Sequence, residues 1–84
     1  MGPADTPAAT PAETLDCVGL LCPEPLFQTR ERMDQLESGE VLEVLADDPA
    51  AEEDLTRFAK RTGNEMLAVE DLGDSKRFLI RKGR

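Results

Sequence analysis

The chain has no histidine and only two cysteines, Cys17 and Cys22. A zinc or transition-metal site asks for three or four Cys, His or carboxylate ligands, so this composition argues against one and no metal is expected. A Cys–His dyad is excluded outright, which leaves helix termini and neighbouring charge as the means of activating a thiol. Long apolar runs are missing too. None approaches the roughly 18 residues that a membrane span needs, and the N-terminus shows neither the basic nor the apolar region of a signal peptide. The expected compartment is therefore the cytoplasm, where reducing conditions keep both cysteines as free thiols.

What is present fits one small domain. The 84 residues are 39% hydrophobic and 33% charged, the balance of a globular rather than a disordered chain. At this size there is room for one sheet covered by helices on one face and no second core. The net charge of −8 is unevenly spread. Every acid lies before residue 76, whereas Lys76, Arg77, Arg81, Lys82 and Arg84 close the chain without one. That basic end reads either as a solubilising tail on a closing strand or as a local patch, with Arg81 and Lys82 as docking candidates for an acidic partner. Overall acidity argues against the domain gripping a nucleic-acid backbone by itself.

Residues 1–13 hold three prolines and little to bury, and read as a flexible tail before a domain spanning 14–84. Thr14–Val18 suits a short first strand with Leu15 pointing inward, and Gly19 then permits a crowded turn. From Pro23 to about Glu37 the apolar spacing is helical, with Leu26, Met33 and Leu36 near one face, Phe27 beside them and Gly39 closing the helix. Val41–Ala46 is β-branched and leucine-rich and reads as a strand. Asp47-Asp48-Pro49 suggests an acidic N-cap with proline at the first helical position. Ala51, Leu55, Phe58 and Ala59 form the apolar stripe of the second helix, which should end at Thr62-Gly63. Met66–Glu70 and Arg77–Arg81 read as two strands joined by a turn over 72–75. The expected fold is a βαβαββ α/β two-layer sandwich (α+β), a mixed four-stranded sheet with both helices on one face. The other face stays open, and Val41, Leu45 and Leu79 are candidates to lie on it.

The segment that carries chemistry is Leu20-Leu21-Cys22-Pro23-Glu24-Pro25. Two prolines define a helix start, so Cys22 sits at the N-cap or just before it. The positive end of a helix dipole favours the thiolate, the form that attacks sulfur. Pro23 and Pro25 would fix where Cys22 points and, with Leu20 and Leu21, give a rigid apolar rim. Glu24 works against this, because a nearby carboxylate raises a thiol pKa unless it points away. Asp16 is placed to orient the Gly19 turn.

The run Leu15-Asp16-Cys17-Val18-Gly19-Leu20-Leu21-Cys22-Pro23-Glu24-Pro25 resembles the signature of the TusA (SirA-like) sulfur-carrier family: Asp-x-x-Gly-Leu-x followed by Cys-Pro-x-Pro at the first helix. Gly39-Glu40-Val41-Leu42 and Ala46-Asp47-Asp48-Pro49-Ala50 are similar to that family's second strand and its link to helix two. The resemblance covers about residues 14–82. It implies a persulfide carrier whose sulfane sulfur is held on Cys22, with no cofactor. Its donor would be a cysteine desulfurase or rhodanese, and its acceptor a cysteine on a DsrE-like or other protein. Such relays serve tRNA thiolation, sulfur oxidation or molybdenum-cofactor synthesis. A monomer with neither nucleic-acid nor membrane binding is expected.

Other readings stay open at this point. Cys22 as a small buried residue before a helix is the plain alternative. Cys17 reads as core filler, or as a resolving thiol for a redox regulator if its Cα comes within about 7 Å of that of Cys22. Asp47 and Asp48 are simplest as caps, with partner docking open. Arg30, Arg32, Lys60 and Arg61 read as solvated helix-face charges. A non-catalytic module that binds through the open sheet face or the basic end is the third class.

Overall fold

Val41–Ala46 is an inner strand: four of its six residues are buried and it pairs with a strand on each side. The structure, a computed structural model, describes residues 10–83. In chain order it contains β1 (Glu13–Cys17), α1 (Glu24–Asp34), β2 (Val41–Ala46), α2 (Ala51–Thr62), β3 (Glu65–Asp71) and β4 (Lys76–Arg81). The strands lie in the order β1-β2-β4-β3. β1 runs parallel to β2, and β4 is antiparallel to both β2 and β3. The expected mixed four-stranded sheet is therefore present, and βαβ units account for its topology. Both crossovers, β1 to β2 and β2 to β3, step the same way along the sheet, so a common handedness puts both helices on one face.

Between that face and the helices lies the core. Leu15 and Cys17 from β1, Leu42, Val44 and Ala46 from β2, and Phe78 and Ile80 from β4 meet Met33 and Leu36 with Ala51, Leu55, Phe58 and Ala59. Leu55, which has no exposed surface, is the kind of side chain whose burial contributes about 1.5–3 kcal/mol. The α2 stripe is as expected. The α1 face differs: Pro25, Thr29 and Met33 are its buried residues, Leu26 packs on the core edge, and Phe27 is 51% exposed. Pro25, Thr29 and Met33 are four apart, one helical row, and the row includes a threonine that an apolar count passes over. Its hydroxyl is buried and has no hydrogen-bond partner among the described residues.

Two helix ends depart from expectation. α1 stops at Asp34 with Gln35 as its C-cap. Gly39 does not close it; it turns the chain into β2 and donates its N–H to the Lys82 carbonyl at 2.8 Å. At α2 the N-cap is Ala50, with no side-chain cap. Asp48 offers its backbone carbonyl to the Ala51 N–H at 3.0 Å, while Asp47 bonds elsewhere. Neither carboxylate caps the helix, because Pro49 and Ala50 separate them from its first turn. Gly63 does end α2 in the left-handed region, at φ 78°. The first strand also begins earlier than expected, at Glu13, and the Ala12 N–H reaches the Val41 carbonyl at 2.7 Å. Of the expected tail, residues 1–9 lie outside the described residues, as does Arg84.

Val41, Leu45 and Leu79 do fall on the helix-free face, by register with Arg81, Arg77 and Glu43. That face is not an apolar surface. Val41 and Leu79 are buried, and around them Arg77 pairs with Glu43 and Glu70 while Arg81 pairs with Glu65 at 2.5 Å. The Thr14 hydroxyl adds a bond to Glu43 at 2.7 Å, and together with Arg77 it holds the Glu43 carboxyl below its ordinary pKa.

Candidate functional site

Parallel β1 and β2 end at the same edge of the sheet, so the chain leaves both toward a helix N-terminus at that edge. Ligands and reactive groups of open α/β sheets gather at such carboxyl ends. The two loops are tied together. Asp16 Oδ1 accepts the Val18 N–H at 3.0 Å, which orients the turn as expected. Gly19, at φ 90°, turns its N–H to Asp47 Oδ1 at 3.0 Å. A positive φ of this size suits glycine alone, and the bond couples the β1–α1 loop to the β2–α2 loop.

Cys22 follows this turn. Its peptide bond to Pro23 is cis, Pro23 is the N-cap, and Pro25 lies in the first turn of α1. Cys22 is thus the residue just before the cap, and its thiol is free and exposed. Two backbone donors at this end are engaged: the Glu24 N–H binds the Leu21 carbonyl at 2.8 Å and the Phe27 N–H binds that of Pro23 at 3.0 Å. The thiol itself donates to Asp54 Oδ2 at 3.2 Å, a residue of α2. That hydrogen bond, then loss of water, then the Asp54 and Asp48 charges raise the Cys22 pKa above its ordinary value. Where the α1 start leads one to expect a lowered pKa, Asp54 of α2 and Asp48 of the loop before it act to raise it. Glu24 is not among the groups acting on Cys22; its charge acts instead on Cys17.

On the β1–α1 connection and the first turn of α1, exposed apolar side chains come from Val18 (47%), Leu21 (73%) and Phe27. The expected rim is changed in two places: Leu20 packs on the core edge and Pro25 is buried beneath the helix. Val18 and Phe27 are exposed instead, and Arg30 lies over the Phe27 ring, 5.7 Å from its centre. A groove of about 210 Å³ runs between the helices from Asp54, over Leu26 and Phe58, with Arg30, Arg57 and Arg61 along it. Two of the charges read as solvated, Arg30 and Arg61, therefore share one groove, whereas Arg32 is tied to Glu13 at 2.8 Å. Asp54 and Arg57 were not singled out by sequence; the available signal was that two parallel strands must deliver both helix starts to one edge.

Cys17 is fully buried at the end of β1 and is free. Burial, foremost, pushes its thiol pKa up. The docking candidates Arg81 and Lys82 are not brought to the thiol. Arg81 is in register with Val41, at the start of β2 and so at the far end of the sheet from Cys17 and Ala46. Lys82 Nζ donates to the Met33 carbonyl at 2.7 Å near the end of α1.

A two-layer βαβαββ domain that presents one exposed cysteine at a Cys-Pro-x-Pro helix start defines a class of small thiol-bearing proteins. Residues 13–82 match the family model described as sulfurtransferase TusA, and the chain belongs to that family. It is 47% identical over 68 residues to a protein of Archaeoglobus fulgidus named as a sulfur carrier, covering 80% of this chain and 88% of that one. It is 45% identical over 71 residues to YrkI of Bacillus subtilis, likewise named as a sulfur carrier, covering 84% and 95%. A SirA-like protein from Desulfitobacterium hafniense has the same fold, with a TM-score of 0.75 and 26% identity over 86% of this chain and 99% of that one. Among the described residues, no helix is long and apolar enough to cross a membrane.

Proposed function

We propose that the protein carries sulfur as a persulfide on Cys22, between a donor and an acceptor protein. The observation that carries this reading is the exposed, unpaired Cys22 thiol at the start of α1, in a chain of the TusA family. The Cys22 thiolate attacks the outer sulfur of a donor persulfide. A bond forms from Cys22 Sγ to that sulfur, the donor's S–S bond breaks, and the donor cysteine leaves as a thiolate. In the second step an acceptor thiolate attacks the same outer sulfur and Cys22 leaves as the thiolate, which restores the carrier. No net oxidation occurs and no cofactor is needed. A cysteine desulfurase or rhodanese is the donor in this proposal, and a DsrE-like protein the acceptor, in tRNA thiolation or sulfur oxidation.

Intact-mass measurement after incubation with a donor and its substrate tests the reading. Wild type should gain the mass of one sulfur atom, removable by a thiol reductant, and Cys22→Ser should gain none. Uptake by Cys22→Ser would overturn the assignment. The redox-regulator alternative, a Cys17–Cys22 disulfide, is disfavoured by the complete burial of Cys17 in the core.

A further inference from the structure

The contact between Cys22 Sγ and Asp54 Oδ2 links residues 32 apart in sequence across the gap between the two helix starts. The fold does not depend on it, since Cys22 is exposed and water could serve its thiol as well. Asp54 is held in place from the other side: its Oδ1 lies 3.7 Å from Arg57 Nη1, and its side chain is only 21% exposed. A carboxylate fixed in this way and aimed at the one exposed thiol is more than a surface charge.

We propose that Asp54 is a positioning residue that holds Cys22 as a neutral thiol, pointed across the helix gap, until a cation of the docking partner takes the carboxylate. This rests on the persulfide reading of Cys22. A carboxylate that accepts a hydrogen bond from S–H favours the thiol over the thiolate, whereas attack on sulfur needs the thiolate. The charged groups around the helix gap are of both signs, but those acting on the thiol are acidic. The β2–α2 loop contributes Asp47 and Asp48, the end of β1 Asp16, and α1 Glu24; against them stand Arg30 of α1 and Arg61 of α2 along the groove that starts at Asp54, while Arg57, the cation beside Asp54, is shared with Glu53 at 3.6 Å. Of these, Asp54 and Asp48 act on the thiol. Among the described residues none of the groups acting on Cys22 is a cation, although arginines line the groove farther along, and the partner brings one. When a lysine or arginine beside the partner's reacting cysteine pairs with Asp54, the S–H···O bond is lost, the thiol proton passes to water, and the thiolate remains next to that cation. The partner chemistry implied is a basic rim around a persulfide or thiol, complementary to the acidic edge of this domain.

The test is the pH profile of Cys22 alkylation by iodoacetamide, a neutral probe, read by peptide mass so that Cys17 is scored separately. Asp54→Asn keeps an acceptor atom but removes the charge. It should move the profile down by about one pH unit, roughly a tenfold faster reaction near neutrality. Asp54→Glu should return the profile toward wild type, and Asp34→Asn, at the far end of α1, should leave it unchanged. An oligolysine peptide should shift wild type in the same direction as Asp54→Asn and leave that variant where it is. An unshifted Asp54→Asn profile overturns the proposal, and so does an equal oligolysine response in both proteins. Thermal melts confirm that each variant is folded. Sulfur uptake is measured in parallel: if wild-type Cys22 takes up none, the persulfide reading fails while the alkylation profiles still decide the role of Asp54.

Discussion

The β1–α1 and β2–α2 junctions both run from the end of a parallel strand through a proline into a helix, yet the first presents a thiol and the second carboxylates. At the first, Pro23 and Pro25 follow Cys22 directly and leave its side chain outside the helix. At the second, Pro49 and Ala50 stand between the acidic pair and the helix, so Asp47 is free to reach Gly19 and α2 begins without a side-chain cap. The nucleophile and its electrostatic setting therefore come from different helices. A helix start taken alone predicts an activated cysteine; a helix start facing a second, acidic one gives a thiol with a raised pKa.

The widest effect that breaks this comparison is on sulfur uptake. Cys22→Ser should abolish it, yet change stability by less than about 0.5 kcal/mol, as an exposed position should. Cys17→Ser is expected to do the reverse. It puts a hydroxyl without a partner into the core, at a cost of about 1–3 kcal/mol, and leaves uptake on Cys22 intact. Denaturant midpoints with intact mass on the same samples would check both. Loss of uptake in Cys17→Ser, with the fold retained, would mean that the two cysteines work together after all.

Much of this contrast could be read in the sequence, and the part that could not has a physical reason. β2 is legible residue for residue, because five of its six residues are apolar and mark the strand by composition alone. The α2 stripe of Ala51, Leu55, Phe58 and Ala59 was also visible, since it repeats at helical spacing and ends in Gly63. In α1 the buried row runs through Pro25 and Thr29, residue types that apolar periodicity undercounts, so that periodicity sets Phe27 beside the core face although it is exposed. Cys22 was found because prolines and a thiol are local signals. Asp54 was not, because the separation of two helices over a sheet is set by packing rather than by either helix.

Asp47→Ala separates the two junctions with less force. It removes the acceptor of the Gly19 N–H at an exposed site where water can substitute, so the expected loss is about 0.5–1 kcal/mol. Hydrogen exchange at the Gly19 amide should nonetheless rise clearly, because the β1–α1 loop would lose its tie to the β2–α2 loop and keep only its local bonds. Unchanged exchange would show that the loops are positioned independently and that the juxtaposition of Cys22 and Asp54 arises only from helix packing.

The smallest effect belongs to the basic end of the chain, and it bears on where partners dock. Arg81→Glu breaks a partly exposed pair with Glu65 and sets two like charges against each other. Such exposed pairs contribute about 0.2–1 kcal/mol, less in high salt, so a melt at low and high ionic strength should show a small loss that fades. Sulfur uptake should not change, because Arg81 sits opposite the start of β2, at the other end of the sheet from the thiol. Lys76 makes the sharper comparison. It pairs with Ala46 at the thiol's end of β4 and holds Glu52 in the first turn of α2 at 2.6 Å. Lys76→Glu should therefore slow uptake from a basic-rimmed donor less than it slows uptake from an acidic one, while Arg81→Glu changes neither. A slowing by Arg81→Glu would move the docking surface to the far end of the domain.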